Sequence, residues 1–350
     1  MSEPEGDEAR IFAACRAAGL EPTGLTWLAA DLSLRRFARV TTANQRTPTL
    51  IARVEAPEDP AGRPDGVAPE PPLEPIRALL ERHGLPVPRR CGGDARAGID
   101  LLEDVGGLPL RDAVHTLPDA VRRTLHREAC AWVPRIQRVG AVPGVAAFER
   151  RLGPALFAYK GDLFARHALA ARGREASASE TEVVREAFAR IAAEMEEAPR
   201  RLAHRDYQSA NLFVAPDAPE GARLRMIDLQ GALLAPPEYD LVCLLRDSYV
   251  ELSEEEIAAH LAFVREALPD APDADAFAHR FDLLTLTRKG KDVARFLYAA
   301  RERGDGRFLA HVPATVRMLR RAAQRSARRD AAFARLAELM DEMPESPCGP

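Results

Sequence analysis

The sequence predicts an α+β fold in which a small β-rich part, residues 1–105, precedes a larger, mostly helical part, residues 106–345. Two observations predict the division, and a third predicts what it serves. Short apolar or β-branched runs at 25–28, 37–42 and Thr49–Val54 crowd the beginning of the chain, the last two separated by the polar turn Ala43-Asn44-Gln45-Arg46. Beyond residue 108 apolar positions recur at helical spacing over 114–139, 148–170 and 180–197. The helical part is interrupted by His204-Arg205-Asp206-Tyr207-Gln208-Ser209-Ala210-Asn211, then an apolar run, a turn and Met226-Ile227-Asp228.

Taken in order, residues 8–19 place Ile11, Phe12 and Cys15 on one helical face and stop at Gly19, so an entry helix precedes the first strand. The loop from Ala29 to Arg36 offers Ser33, Arg35 and Arg36 to a phosphate. It lacks the glycines that let a backbone approach phosphate closely, and a plain surface hairpin explains it as well. Residues 56–75 are rich in Pro, Gly and Asp without periodicity and read as a loop. A helix follows, with Leu73, Ile76, Leu79 and Leu80 inward and Gly84 as its stop; Val87-Pro88 then opens an extended segment, and a strand from Ile99 runs into Glu103-Asp104-Val105-Gly106-Gly107. Leu212–Val214 and the run from Leu224 form a hairpin that carries Asn211 and Asp228 at neighbouring ends. Helices are expected at 239–249, 254–267, 273–303 and 309–325, with helical character to about residue 342.

Composition bounds the function. A chain of 350 residues, 46% hydrophobic and 29% charged, buries a sizeable core. Its net charge of -4 argues against a dedicated nucleic-acid binder, and the run Arg317, Arg320, Arg321, Arg325, Arg328, Arg329 reads as a solvated helix face. Lysine occurs only at 160, 289 and 291, so arginine is the default cation. The five cysteines show no CxxC spacing and read as reduced thiols. No apolar run reaches bilayer length and the acidic start lacks signal-peptide features, so a cytoplasmic protein without an obligate protein partner is expected.

The interrupting stretch carries the chemistry. A carboxylate two residues after a His, with an Asn five residues beyond, puts a base and a metal ligand on one short loop; an Asp after the next strand pair supplies a second ligand. Asp206 is the candidate general base, holding an acceptor hydroxyl in line and taking its proton. Asn211 and Asp228 are the candidate ligands of Mg²⁺, which takes few protein oxygens and keeps phosphates and waters. His204 is expected to brace the loop. Asp240, at the start of an apolar helix, is expected to cap or brace.

With Pro237-Glu238-Tyr239-Asp240-Leu241 added, these motifs resemble the aminoglycoside phosphotransferase and choline kinase superfamily over roughly residues 20–300. The resemblance implies a protein-kinase-like bilobal fold, ATP and Mg²⁺ as cofactors, a nucleotide-binding lobe at 1–105 and a catalytic and acceptor-binding lobe at 106–345. It makes Glu103 and Val105 a hinge whose backbone meets the purine edge. Three stretches are most similar to bacterial kinases of N-acetylmuramate and N-acetylglucosamine, which act on the anomeric hydroxyl in cell-wall recycling: Asp31 to Val40, Ile227-Asp228-Leu229-Gln230-Gly231-Ala232, and Tyr239 to Asp247.

One departure stands out: the superfamily places a lysine on its third N-terminal strand, and no lysine precedes residue 160 here. Arg53 is the nearest substitute, with Arg35, for the phosphates, although an arginine's fixed fork is not equivalent to an ammonium. That absence leaves open a nucleotide-binding pseudokinase. In the helical part, Arg246, Arg288 and Lys291 are candidates to bind the acceptor, because a carboxylate-bearing sugar needs a cation there. A polycationic aminoglycoside needs carboxylates instead, and Glu251 and Glu254 to Glu256 leave that reading, or another small alcohol, open.

Overall fold

The computed structural model describes residues 4–29, 35–55, 69–215 and 217–346. The chain forms two compact units, one of residues 1–62 and 86–107, the other of 63–85 and 108–350. A β-sheet N-terminal part and a helical C-terminal part are present, as the sequence predicts.

The first unit is a five-stranded antiparallel sheet, β1 (Pro22–Trp27), β2 (Arg36–Thr42), β3 (Thr49–Val54), β4 (Arg90–Asp94) and β5 (Ile99–Glu103), in the order β1-β2-β3-β5-β4. Alternation along the strands sends Ala38, Val40, Leu50, Ala52, Ile99 and Leu101 to one buried face. The entry helix α1 (Pro4–Ala17) covers that face with Ile11, Ala14 and Cys15. Strand β4 escapes the sequence patterning because its core is Cys91-Gly92-Gly93. The glycine is required by a close approach: a Cβ on Gly92 would lie 2.6 Å from Cβ of Ala18.

The second unit begins with α2 (Leu73–Arg82), whose Leu73, Ile76, Leu79 and Leu80 are buried as the spacing predicts. The helix expected over 114–139 is two, α3 (Leu110–Thr116) and α4 (Asp119–Gln137), because Pro118 cannot continue the first and caps the second. Helix α5 (Pro154–Leu163) starts at its proline, later than 148, and runs into a π-turn, Phe164–Ala168. Helix α6 (Ala178–Glu196) opens on a capping box of Ser177 and Glu180. Two short ribbons follow, β6 (Arg201–Ala203) with β9 (Leu233–Ala235) and β7 (Leu212–Val214) with β8 (Leu224–Met226). The remaining helices are α7 (Tyr239–Leu245), α8 (Glu254–Ala267), α9 (Ala274–Arg303), α10 (Val312–Arg329) and α11 (Ala334–Asp341). On α10 the arginine face is not simply solvated: Arg317 pairs with Glu251 and Glu345, and Arg321 and Arg325 pair with Glu254. Among the described residues no helix is long and apolar enough to cross a membrane.

Helix α9 packs against the α5 π-turn at one small residue. A Cβ on Gly290 would stand 2.7 Å from Cδ2 of the buried Phe164. Gly290→Ala should therefore destabilise the protein by about 1–3 kcal/mol of overpacking, of which better helix propensity returns at most about 1 kcal/mol. Thermal unfolding checks this; a raised melting temperature would contradict the close contact.

Candidate active site

The loop 204–211 leaves β6 and enters β7, and its conformation is set by carboxylates from α7 and the turn after it. Asp240 is buried and accepts from two successive amides, His204 N–H at 2.8 Å and Arg205 N–H at 3.0 Å. This is the bracing role read from the sequence. Arg205 sits at φ 79°, a left-handed conformation costly for a residue with a Cβ, and the paired amides hold it there. Asp247 repeats the device one turn on, accepting from Ser209 N–H at 2.6 Å and from Tyr249 N–H at 3.0 Å. His204 braces the loop as expected, its Nε2 donating to the Ile227 carbonyl at 2.9 Å, while Tyr207 donates its hydroxyl to the Ala129 carbonyl at 2.8 Å. The Cys243 thiol donates to the Arg205 carbonyl at 3.2 Å.

With the backbone fixed, Asp206 keeps 27% of its side chain exposed. Its Oδ1 accepts from Arg288 Nη1 at 2.6 Å and lies 4.0 Å from Lys291 Nζ; Oδ2 lies 3.9 Å from Arg205 Nε. Burial favours the protonated carboxyl, but Arg288, Lys291 and Arg205 outweigh it and hold Asp206 well below the usual carboxylate range. Arg288 is only 2% exposed. Its second nitrogen donates to Gln208 Oε1 at 3.0 Å, and its Nε faces Asp292 at 3.5 Å. The sequence reading offered Arg288 to the acceptor; the structure places it beneath Asp206, committed to fixing the carboxylate.

Asn211 and Asp228 are brought together as the hairpin predicts. Leu212 pairs with Met226, and Ile227 N–H donates to the Asn211 carbonyl at 3.0 Å. The Asn211 amide nitrogen donates to the Asp206 carbonyl at 2.8 Å, which ties the two candidate residues together and leaves the amide oxygen without a partner among the described residues. Asp228 adopts φ 64°, and its Oδ1 accepts from Gln230 at 2.5 Å. An amide oxygen and a carboxylate with open positions fit a hard divalent cation that draws its other ligands from phosphates and water. Among the described residues no group of three His, Cys, Asp or Glu forms a closed metal cage.

The other candidates lie elsewhere. Arg246 is bound through both terminal nitrogens to Glu254, at 2.5 and 2.8 Å, a pairing that does not involve Asp206. In the sheet unit Arg53 is buried against Asp100 at 2.9 Å and Glu55 at 2.5 Å, so a phosphate there competes with two carboxylates. Arg35 pairs with Glu55 at 3.3 Å. Glu103 donates its N–H to the Arg89 carbonyl at 2.9 Å, whereas the Val105 backbone has no hydrogen bond among the described residues. Ser33 lies outside the described residues. Sequence reasoning missed Asp247, Asp292 and Lys160. Lys160, on α5, is 5% exposed and donates to the Tyr239 hydroxyl at 3.1 Å.

The family model described as the phosphotransferase enzyme family matches residues 25–279. The N-acetylmuramate/N-acetylglucosamine kinase of Pseudomonas aeruginosa is 27% identical over 280 residues, covering 78% of each chain. That of Neisseria meningitidis is 25% identical over 326 residues, covering 91% of each. The solved choline kinase LicA of Streptococcus pneumoniae superposes with a TM-score of 0.58 at 16% identity, covering 94% of this chain and 99% of its own; LicA has also been solved in complex with AMP.

Replacing Asp240 with Ala strands two buried N–H groups, at about 1–3 kcal/mol each. Asp240→Ala should lower unfolding free energy by about 2–6 kcal/mol by the same reckoning, and Asp240→Asn, which keeps one acceptor, by clearly less. Urea unfolding of the pair checks the order; equal values would remove the two-amide clamp.

Proposed function

Since this chain belongs to the phosphotransferase enzyme family, we propose that it transfers the γ-phosphoryl group of ATP to the anomeric hydroxyl of an amino sugar, N-acetylmuramate or N-acetylglucosamine. The observation that carries this reading is the juxtaposition of Asp206, half-exposed and held by buried Arg288, with the Asn211–Asp228 pair joined to it through the Asn211 amide. The acceptor oxygen forms its bond to the γ-phosphorus as the bond to the bridging oxygen breaks and ADP leaves. Asp206 orients the hydroxyl and takes its proton.

A carboxylate held below its usual range is a weak base, which suits this acceptor. An anomeric hydroxyl is more acidic than an ordinary alcohol, and a loose phosphoryl transition state asks for little proton transfer before the phosphorus moves. Asn211 and Asp228 would hold Mg²⁺, whose charge offsets that of the phosphates. In this reading residues 1–105 bind the nucleotide, with the open Val105 backbone for the purine edge, and residues 106–345 bind the acceptor. The amino-sugar names of the curated relatives point the same way.

The charge of the site argues against an aminoglycoside. Arg205, Arg288 and Lys291 surround Asp206, and a polycationic acceptor would meet like charge at each.

The test is ADP release by purified protein with ATP, Mg²⁺ and a panel of amino sugars, aminoglycosides and choline. Turnover is expected with the amino sugars; turnover confined to aminoglycosides or choline overturns the acceptor, and nucleotide binding without any turnover overturns the enzyme. Asp206→Asn should lower kcat by roughly 10²–10⁴-fold while ATP affinity is retained.

A further inference from the structure

We propose that Lys160 and Lys291 together read a carboxylate on the acceptor, so that the site prefers N-acetylmuramate, whose lactyl ether carries one, to N-acetylglucosamine, which has none. The inference rests on the amino-sugar reading above and narrows it.

The chain's use of lysine is the first support. Of 49 basic residues only three are lysine, and all three converge on one place. Lys291 stands 4.0 Å from Asp206, Lys289 pairs with Asp292 at 2.7 Å, and Lys160 reaches Tyr239 from α5. A chain that meets its other needs for positive charge with arginine has placed compact ammonium groups here. An ammonium on a flexible stem can follow an anion that arrives and leaves, whereas a guanidinium fork favours a fixed partner.

The hydrogen-bond inventory is the second. The carboxylates of the cluster are engaged: Asp206 with Arg288, Asp292 with Lys289, Glu70 with Arg205. Lys160 has three N–H donors and, among the described residues, one hydrogen-bond partner, the Tyr239 phenol. Lys291 has no hydrogen bond there, only ion pairs at 4.0 Å to Asp206 and 3.7 Å to Asp292. Each ammonium thus keeps N–H donors in hand, and an entering carboxylate is a ligand that can take them up.

Placement is the third. Gly290 lets α9 press onto the turn that continues α5, so Lys160 and Lys291 are carried by two helices in close contact. Lys291 keeps 14% of its side chain exposed, 4.0 Å from the partly exposed Asp206. Consistent with an anion site awaiting its anion, burial together with Arg288 brings the Lys291 ammonium down to about 8, and burial together with Lys291 and Arg288 depresses Lys160.

The test compares kcat/KM for N-acetylmuramate, its neutral lactyl carboxamide and N-acetylglucosamine in the wild type, Lys160→Met and Lys291→Met. The wild type should prefer N-acetylmuramate to both neutral sugars by roughly ten- to a hundredfold, the worth of a charge-assisted hydrogen bond. Each variant should lose most of that ratio, chiefly through KM, and should barely distinguish carboxylate from carboxamide. Equal losses on all three sugars mean that the lysines only support the fold; an unchanged ratio means that the carboxylate is bound elsewhere. Either result overturns the inference while the amino-sugar reading stands. Should Lys160→Met fail to fold, the more exposed Lys291→Met decides the matter with the same ratio. If neither sugar releases ADP, the functional reading fails and this inference falls with it.

Discussion

The buried carboxylate of Asp240 is the constraint on which the site depends. A loop that presents the Asp206 and Asn211 side chains within eight residues turns amides of its own inward, and inward amides without acceptors are costly. Asp240 answers two of them from the first turn of α7, and Asp247 answers a third. Every residue of α7 is buried, so the clamp is part of the helical core. Arg205 and Asp228 can then hold left-handed conformations before and after Asn211 in the chain. Such strain persists only where the surroundings over-determine it.

On that frame the electrostatics are layered. Arg288, beneath the surface, joins Asp206, Gln208 and Asp292. Asp292 in turn is held by Lys289, so the cation that orients the base is itself oriented. The result is a carboxylate with a fixed direction and low basicity. For phosphoryl transfer that combination is sufficient, because most of the rate comes from positioning and charge neutralisation.

Much of this was legible in the sequence, and the exceptions have physical causes. The spacing of His204, Asp206, Asn211 and Asp228 predicts the loop, the hairpin and the adjacency of Asn211 and Asp228, since local chain geometry fixes them. Pro118 splits a helix that apolar periodicity alone extends across it, because periodicity carries no account of a missing N–H. Strand β4 was hidden because packing against Ala18 demands glycine where strand propensity asks for a branched residue. The role of Arg288 was illegible for another reason. Whether a cation faces a ligand or lies beneath a carboxylate depends on burial across 82 residues of separation, which no local pattern records. Lys160 did leave a signal, its rarity as a residue type, but rarity points to a place only when the fold shows where the other two lysines stand.

The two cations divide the work by their chemistry. Arginine appears where this chain fixes its own parts: Arg288 on Asp206, Arg246 on Glu254, Arg53 on Asp100 and Glu55. A planar fork gains most from a partner that does not move, and each of these carboxylates belongs to the protein. Any phosphate at Arg53 would meet the two carboxylates that already hold it. Lysine is held more loosely at two of its three positions, Lys160 by a phenol at 3.1 Å and Lys291 by carboxylates at 3.7 and 4.0 Å, contacts that a compact ammonium on a flexible stem can rearrange where a guanidinium fork would not.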